Sequence, residues 1–220
     1  MVRYHTIPSS MTVNFSNPKS IGEVTHRIFA PKESIPLPEE ALWLIDQGLV
    51  RTLTWTDQGD LISLGYWGAG ELVGLPLAKL SPFQVECVTR TEAVLLPQGQ
   101  WSYHLDAILD HAQRSAQLAS FLAHDRTLNR LAYLIEWLGG RFGRRVSEGV
   151  LIDIPLPHSA IGEMVGCSRV TVTRFLGALQ KQGALVQLRR RIILLKNLND
   201  LDFQDITANS NPRRRASDLI

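Results

Sequence analysis

The chain has 220 residues, 45% of them hydrophobic and 20% charged, an ordinary globular composition that excludes a mostly disordered protein. Cys87 and Cys167 are its two cysteines, too few for a disulfide framework, a four-cysteine zinc site or a cysteine-ligated iron–sulfur cluster. The net charge of +2 hides an asymmetry: residues 155–220 hold ten basic and five acidic side chains, the first 154 thirteen and sixteen.

A basic end on an acidic body suggests a polyanion-binding module attached to something else. Residues 1–22 read as a polar, loose arm without the apolar core of a secretion signal. No apolar run reaches the ~20 residues of a membrane span, so a cytoplasmic, reducing setting is expected. From residue 23 to 98 the texture is strand-like. Ala41 to Ile45, Leu49 to Trp55, Leu61 to Trp67, Val85 to Arg90 and Ala93 to Pro97 are β-favouring and separated by turn signals such as Asp46-Gln47-Gly48. Short strands with a turn about every ten residues predict a β-roll or barrel.

The period then changes. From about residue 98 to 142 apolar residues fall at helical spacing, and Leu105, Ile108, Leu109, Ala112, Ala116 and Ala119 form one stripe rich in small residues. A long helix over 99–124 is expected, then a bend near His124-Asp125 and a second helix. The stripe fits either burial against the chain's own β-domain or the seam of a two-chain dimer, the second being the expected one once the rest of the chain is read. A short strand follows at residues 150–154, then helices over 158–165 and 168–181, then a hairpin of Leu185 to Leu188 and Ile192 to Leu195. Residues 207–220 read as a disordered basic tail containing Arg213, Arg214 and Arg215.

Residues 158–177 match the twenty-residue helix-turn-helix template. Two short helices must pack near right angles, so inward positions need to be apolar and the turn must tolerate positive φ. Ile161, Val165, Cys167, Val172 and Phe175 take the inward positions, Gly162 lets the helices touch, Gly166 makes the turn, and Ser168 can cap the second helix. That helix then presents Arg169, Val170, Thr171, Thr173 and Arg174 outward, in the half that enters a major groove. Arg169 can fork onto guanine O6 and N7, and Val170 can pack on a thymine methyl; Thr173 and Arg174 complete the expected base-reading set. His158, Ser159, Ser168 and Thr171, with Arg189, Arg190 and Arg191 at the hairpin bend, are the expected phosphate contacts.

Strands, the Gly70-Glu71-Leu72-Val73-Gly74 turn, a long helix and the run Ile161 to Arg174 together resemble the cyclic-AMP receptor / fumarate-nitrate regulator family of bacterial transcription factors. The Arg169-Val170-Thr171-Val172-Thr173-Arg174 segment is most similar to its cyanobacterial global nitrogen regulator branch. The resemblance covers about residues 27–195. It implies an α+β protein: an N-terminal jelly-roll-like β-roll of the cyclic-nucleotide-binding type (23–98), a dimerisation helix (99–124) and a C-terminal winged helix-turn-helix (125–206). It further implies a homodimer on a palindromic double-stranded DNA operator, half-sites near GTA and TAC, and contact with RNA polymerase. The effector pocket is expected around Gly70, Glu71, Leu72, Phe83 and Gln84. The cyclic-AMP binders carry an Arg-Ser pair after the Gly-Glu turn. Here Ser81-Pro82-Phe83-Gln84-Val85 holds no cation, and a buried phosphodiester would go unpaired. Cyclic-nucleotide binding is therefore not expected, and an effector, if there is one, is unknown. The arginine and glutamate that hold 2-oxoglutarate in the nitrogen branch align near His111 and Ala116.

The six histidines are dispersed, both thiols are expected to be buried, and no nucleophile-elbow or paired-acid context appears. No catalytic residue, metal or cofactor is expected. The alternative to a DNA-binding regulator is a sensor or adaptor whose β-roll binds a small molecule and whose helix-turn-helix reads no operator.

Overall fold

The structure is a computed structural model and describes residues 25–201; the arm at 1–22 and the tail at 207–220 lie outside the described residues. Seven strands come first: β1 (Thr25–Phe29), β2 (Ala41–Gln47), β3 (Leu49–Trp55), β4 (Leu61–Gly68), β5 (Leu72–Val73), β6 (Gln84–Cys87) and β7 (Thr91–Pro97), with a one-turn helix α1 (Leu75–Ala78) after β5. They form two antiparallel sheets, ordered β1-β7-β2-β5 and β4-β3-β6. Alternation along β2, β3 and β7 turns Trp43, Ile45, Val50 and Ala93 inward with Phe29, Trp67, Val85 and Cys87, so the two sheets share one core. The predicted turns are present: Gly48 and Gly59 carry φ of 97° and 84°, a region glycine enters without steric cost.

A 3₁₀ segment (Gln98–His104) leads into α2 (Leu105–Leu122), and α3 (Thr127–Phe142) follows. The long helix thus starts at Leu105, six residues later than the pattern suggested, because Trp101 folds back and donates its indole N–H to the Leu96 carbonyl at 3.2 Å. No described helix is long and apolar enough to cross a membrane.

The rest of the described chain is β8 (Gly143–Val146), β9 (Gly149–Ile152), α4 (His158–Val165), α5 (Arg169–Lys181), β10 (Leu185–Leu188) and β11 (Arg191–Leu194). The four strands form one sheet ordered β10-β11-β9-β8. A second core runs from Leu118 and α3 through α4 and α5 to this sheet, and it also takes in Leu49 and Tyr66 of the roll. Burial pushes the Tyr66 phenol up to about 12. Beside it Arg51 on β3 binds Glu86 on β6 at 2.9 Å and Glu163 on α4 at 3.0 Å, fastening the first helix of the motif to the roll.

Candidate nucleic-acid interface

The helix-turn-helix folds from the positions the template requires. Ile161, Val165, Val172 and Phe175 are buried between α4, α5 and the wing sheet, and Cys167 is half-buried against the same core. Gly166 is left-handed at φ 67°, ψ 45°, and a side chain at Gly162 would collide with the Cys167 carbonyl, so the turn closes directly on α4 there. The Ser168 hydroxyl caps α5 by accepting the Thr171 N–H at 3.1 Å, and the Thr171 hydroxyl lies 3.0 Å from it. Capping of this kind is worth about 1 kcal/mol. It fixes the helix end that points outward. Burial pushes both thiols, Cys87 and Cys167, above the ordinary range, so neither is a poised thiolate.

The outward face divides in two. Arg169, Val170 and Arg174 are exposed, and Val170 stands 66% open to solvent, unusual for an apolar side chain unless a partner covers it. Thr173 is exposed too, but its hydroxyl is already engaged: it donates to the Arg169 carbonyl at 2.9 Å and faces His158 Nδ1 at 2.8 Å. The Thr173 hydroxyl thus already has partners within the protein, while its side chain stays exposed on the outward face. His158, expected as a phosphate ligand, has its other ring nitrogen 3.1 Å from the Gln187 amide oxygen. Ser159 is exposed on α4.

The wing turn is two residues long, since Leu188 pairs with Arg191. Arg189 takes it with φ 54°, a conformation costly for a side chain with a Cβ. Arg189 and Arg190 project from it, exposed. Arg191 differs from them: its guanidinium pairs with Asp153 at 3.2 Å, and Arg144 on β8 bonds the same carboxylate at 2.8 Å. The Arg144 hydrogen bond holds the Asp153 carboxyl below its usual range. Strand β8 was absent from the sequence reading, and with it this ionic base of the wing.

The expected effector residues do not gather. A cavity of about 290 Å³ lies between β4, α1 and α2, and of the five candidates only Phe83 lines it. Glu71 points instead into a charged cluster, accepting from the Gly68 N–H at 2.5 Å and from Arg141 at 2.6 and 2.7 Å, with Arg114 on its other side. Arg141 is enclosed by Trp67, Trp137 and Phe142; burial, then Arg114, pulls it well below the ordinary guanidinium range. Gly70 makes the exposed turn before Glu71. Leu72 is buried with Leu42 and Leu96, and Gln84 donates to Ser34 on the outer surface. The cavity wall is instead apolar with neutral polar groups. No Asp, Glu, Lys or Arg lines it, Ser63 Oγ is buried without a described partner, and His111 stacks on Trp67 at 4.0 Å. The His111 Nδ1–H donates to the Leu72 carbonyl at 2.9 Å, and burial holds its pKa below the usual imidazole value. No sequence motif flags this wall, because its residues come from three separate elements.

On α2, Leu105, Leu109, Ala112, Ala116 and Ala119 form an exposed stripe spaced four and three residues apart, with Leu105 and Leu109 each 57% open. Ile108 belongs to the opposite face, packed on Leu42, Leu72 and Leu96. Among the described residues, His26, Asp46 and Glu92 are the group whose atoms could converge on a metal ion, but they are largely exposed and Glu92 already pairs with Arg90 at 3.0 Å.

Residues 129–202 match the Crp-like helix-turn-helix domain family. The regulatory protein CysR of Synechococcus elongatus is 36% identical over 173 residues, 77% of this chain and 84% of its own length. The chain belongs to the Crp/Fnr family of DNA-binding transcription regulators. It lies near the cyanobacterial nitrogen regulators, one of which, from Synechocystis, is 32% identical over 93 residues, 42% of this chain and 41% of that protein. FixK2 from Bradyrhizobium japonicum has the same fold at a TM-score of 0.67 and 20% identity, over 81% of this chain and 97% of that one. The β-roll, central helices and winged helix-turn-helix are thus those of a Crp/Fnr regulator, and the relatives are named as regulators rather than enzymes.

Proposed function

We propose that this Crp/Fnr regulator acts in the cytoplasm as a homodimer on a palindromic promoter site, with α5 in the major groove and the wing turn on phosphate. The observation that carries the reading is the outward face of α5. Arg169, Val170 and Arg174 are exposed on a capped helix whose other side is buried, and no described residue of the chain covers them. Arg169 reads guanine, Val170 packs on a thymine methyl, and Arg174 takes a base or the backbone. Arg189 and Arg190, with Ser159 and Thr171, supply phosphate contacts that release counterions.

The exposed stripe of α2 supports pairing of two chains. Its four-and-three spacing is a coiled-coil seam, and its alanines allow close approach. Two chains so joined present recognition helices to grooves about 34 Å apart. The cavity beside α2 supports modulation by a small molecule that is not a cyclic nucleotide, since a phosphodiester there would meet no cation. Contact with RNA polymerase completes the reading.

Random-site selection with the full chain, followed by sedimentation of the complex, tests this. Enrichment of a palindrome bound by two chains is expected. Recovery of no common sequence would favour the sensor or adaptor alternative.

A further inference from the structure

His158 stands where three pieces of the DNA-binding face meet: the first turn of α4, the outer side of α5 and strand β10 of the wing. Its Nδ1 lies 2.8 Å from the Thr173 hydroxyl and its Nε2 3.1 Å from the Gln187 side-chain oxygen. The Thr173 hydroxyl lies 2.9 Å from the Arg169 carbonyl and can give its hydrogen there or to Nδ1. The Gln187 amide nitrogen donates to the Gln180 side-chain oxygen at 3.2 Å, as does the Gln187 backbone N–H, which turns the Gln187 oxygen to the ring. The ring nitrogen facing Gln187 therefore donates, and the one facing Thr173 meets a hydroxyl that can donate or accept, so the imidazole closes both contacts at once.

We propose that His158 is a positioning residue that clips the wing to the recognition helix, and not a phosphate ligand in its own right. The proposal rests on the DNA-binding reading above. A wing anchored in this way holds Arg189 and Arg190 at a fixed offset from Arg169 and Arg174, so phosphate grip and base reading fall in register. Without the clip, β10 keeps its pairing to β11 but loses its direct tie to α5 through the ring. The charged groups on the elements around the ring are Arg169, Arg174 and Lys181 on α5, Glu163 on α4, and Arg189 and Arg190 at the wing turn. Glu163 is taken by Arg51, and among the described residues none of them forms an ion pair with His158.

The first test needs no DNA. Amide exchange of the free full chain, corrected for intrinsic rates, is expected to speed up about tenfold at Gln187 in H158A while the α3 amides are unmoved. The second test is a double-mutant cycle of His158→Ala and Gln187→Ala, read as affinity for a duplex carrying GTA and TAC half-sites. Each single variant is expected to lose about tenfold, and the double variant less than twofold more. Unchanged exchange at Gln187 in H158A would overturn the clip. So would additive losses accompanied by a salt slope shallower by about 0.9 per subunit, the mark of a direct phosphate contact. If the wild type binds no duplex, the DNA-binding reading fails while the exchange measurements still decide the clip.

Discussion

Glu71 is the most informative residue to remove. Its carboxylate, 11% exposed, receives the Gly68 N–H, both contacts of Arg141 and the guanidinium of Arg114. Arg141 is itself only 12% exposed and walled by aromatic rings. Glu71→Ala leaves that guanidinium buried without its acid, and breaking one side of a buried pair costs about 3–5 kcal/mol. For a chain of this size each kcal/mol moves Tm by about 2–4 °C, so a fall of roughly 6–20 °C is expected. Glu71→Gln keeps the shape and an acceptor for Gly68 but loses the charge, and should fall between the two. Glu71→Leu combined with Arg141→Met removes both charges and replaces them with apolar volume, so it should recover most of the loss. Urea and thermal denaturation of the four proteins measure this. A loss below about 1 kcal/mol in Glu71→Ala would refute the reasoning and return Glu71 to the role of a solvated or ligand-binding acid.

Three further outcomes are expected. Leu109→Asp or Ala116→Glu, on the exposed stripe of α2, should turn the dimer into a monomer by sedimentation equilibrium with the fold intact, and an unchanged dimer would place the seam elsewhere. Arg190→Ala should weaken binding to all duplexes alike and reduce the salt slope by about 0.9 per subunit, while Arg191→Ala, whose guanidinium is held by Asp153, should change the slope less. His111 is held below the ordinary imidazole value by burial, so the unfolded chain binds more protons below about pH 6.5. Stability is therefore full above that range and declines as pH falls through it. Urea unfolding at pH 7.5 and 5.5 should show this decline, and His111→Gln should reduce it.

The helix-turn-helix was legible because its requirements are local. Five apolar positions, Gly162, Gly166 and the Ser168 cap all fall within twenty residues, and each has one physical job that few residue types can do. The exposed stripe of α2 was legible for the same reason, apart from Ile108: a single stripe could not show that one of its members turns toward the roll. The effector region was not legible. Glu71 finds Arg141 seventy residues away, and no pattern near Gly70 shows that the acid faces a buried cation instead of a pocket. The cavity that does exist is bounded by β4, α1 and α2, and Phe83 reaches it only through the packing of distant elements. Strand β8 was missed because Gly143-Arg144-Arg145-Val146 has no apolar alternation; pairing with β9 makes it a strand. The contact between Thr173 and His158 was not legible either: helical phase turns Thr173 outward and His158 opens α4, but neither position shows that the two side chains meet.

Whether α5 reads DNA sequence through Arg169, as proposed, is decided by one pair of titrations. Wild type and Arg169→Ala are each titrated against the selected operator and against the same duplex with the guanine of each half-site replaced. The wild type is expected to discriminate between the two duplexes, and Arg169→Ala to lose about 1–3 kcal/mol per half-site on the operator and to bind both duplexes alike. Discrimination that survives intact in Arg169→Ala would contradict it.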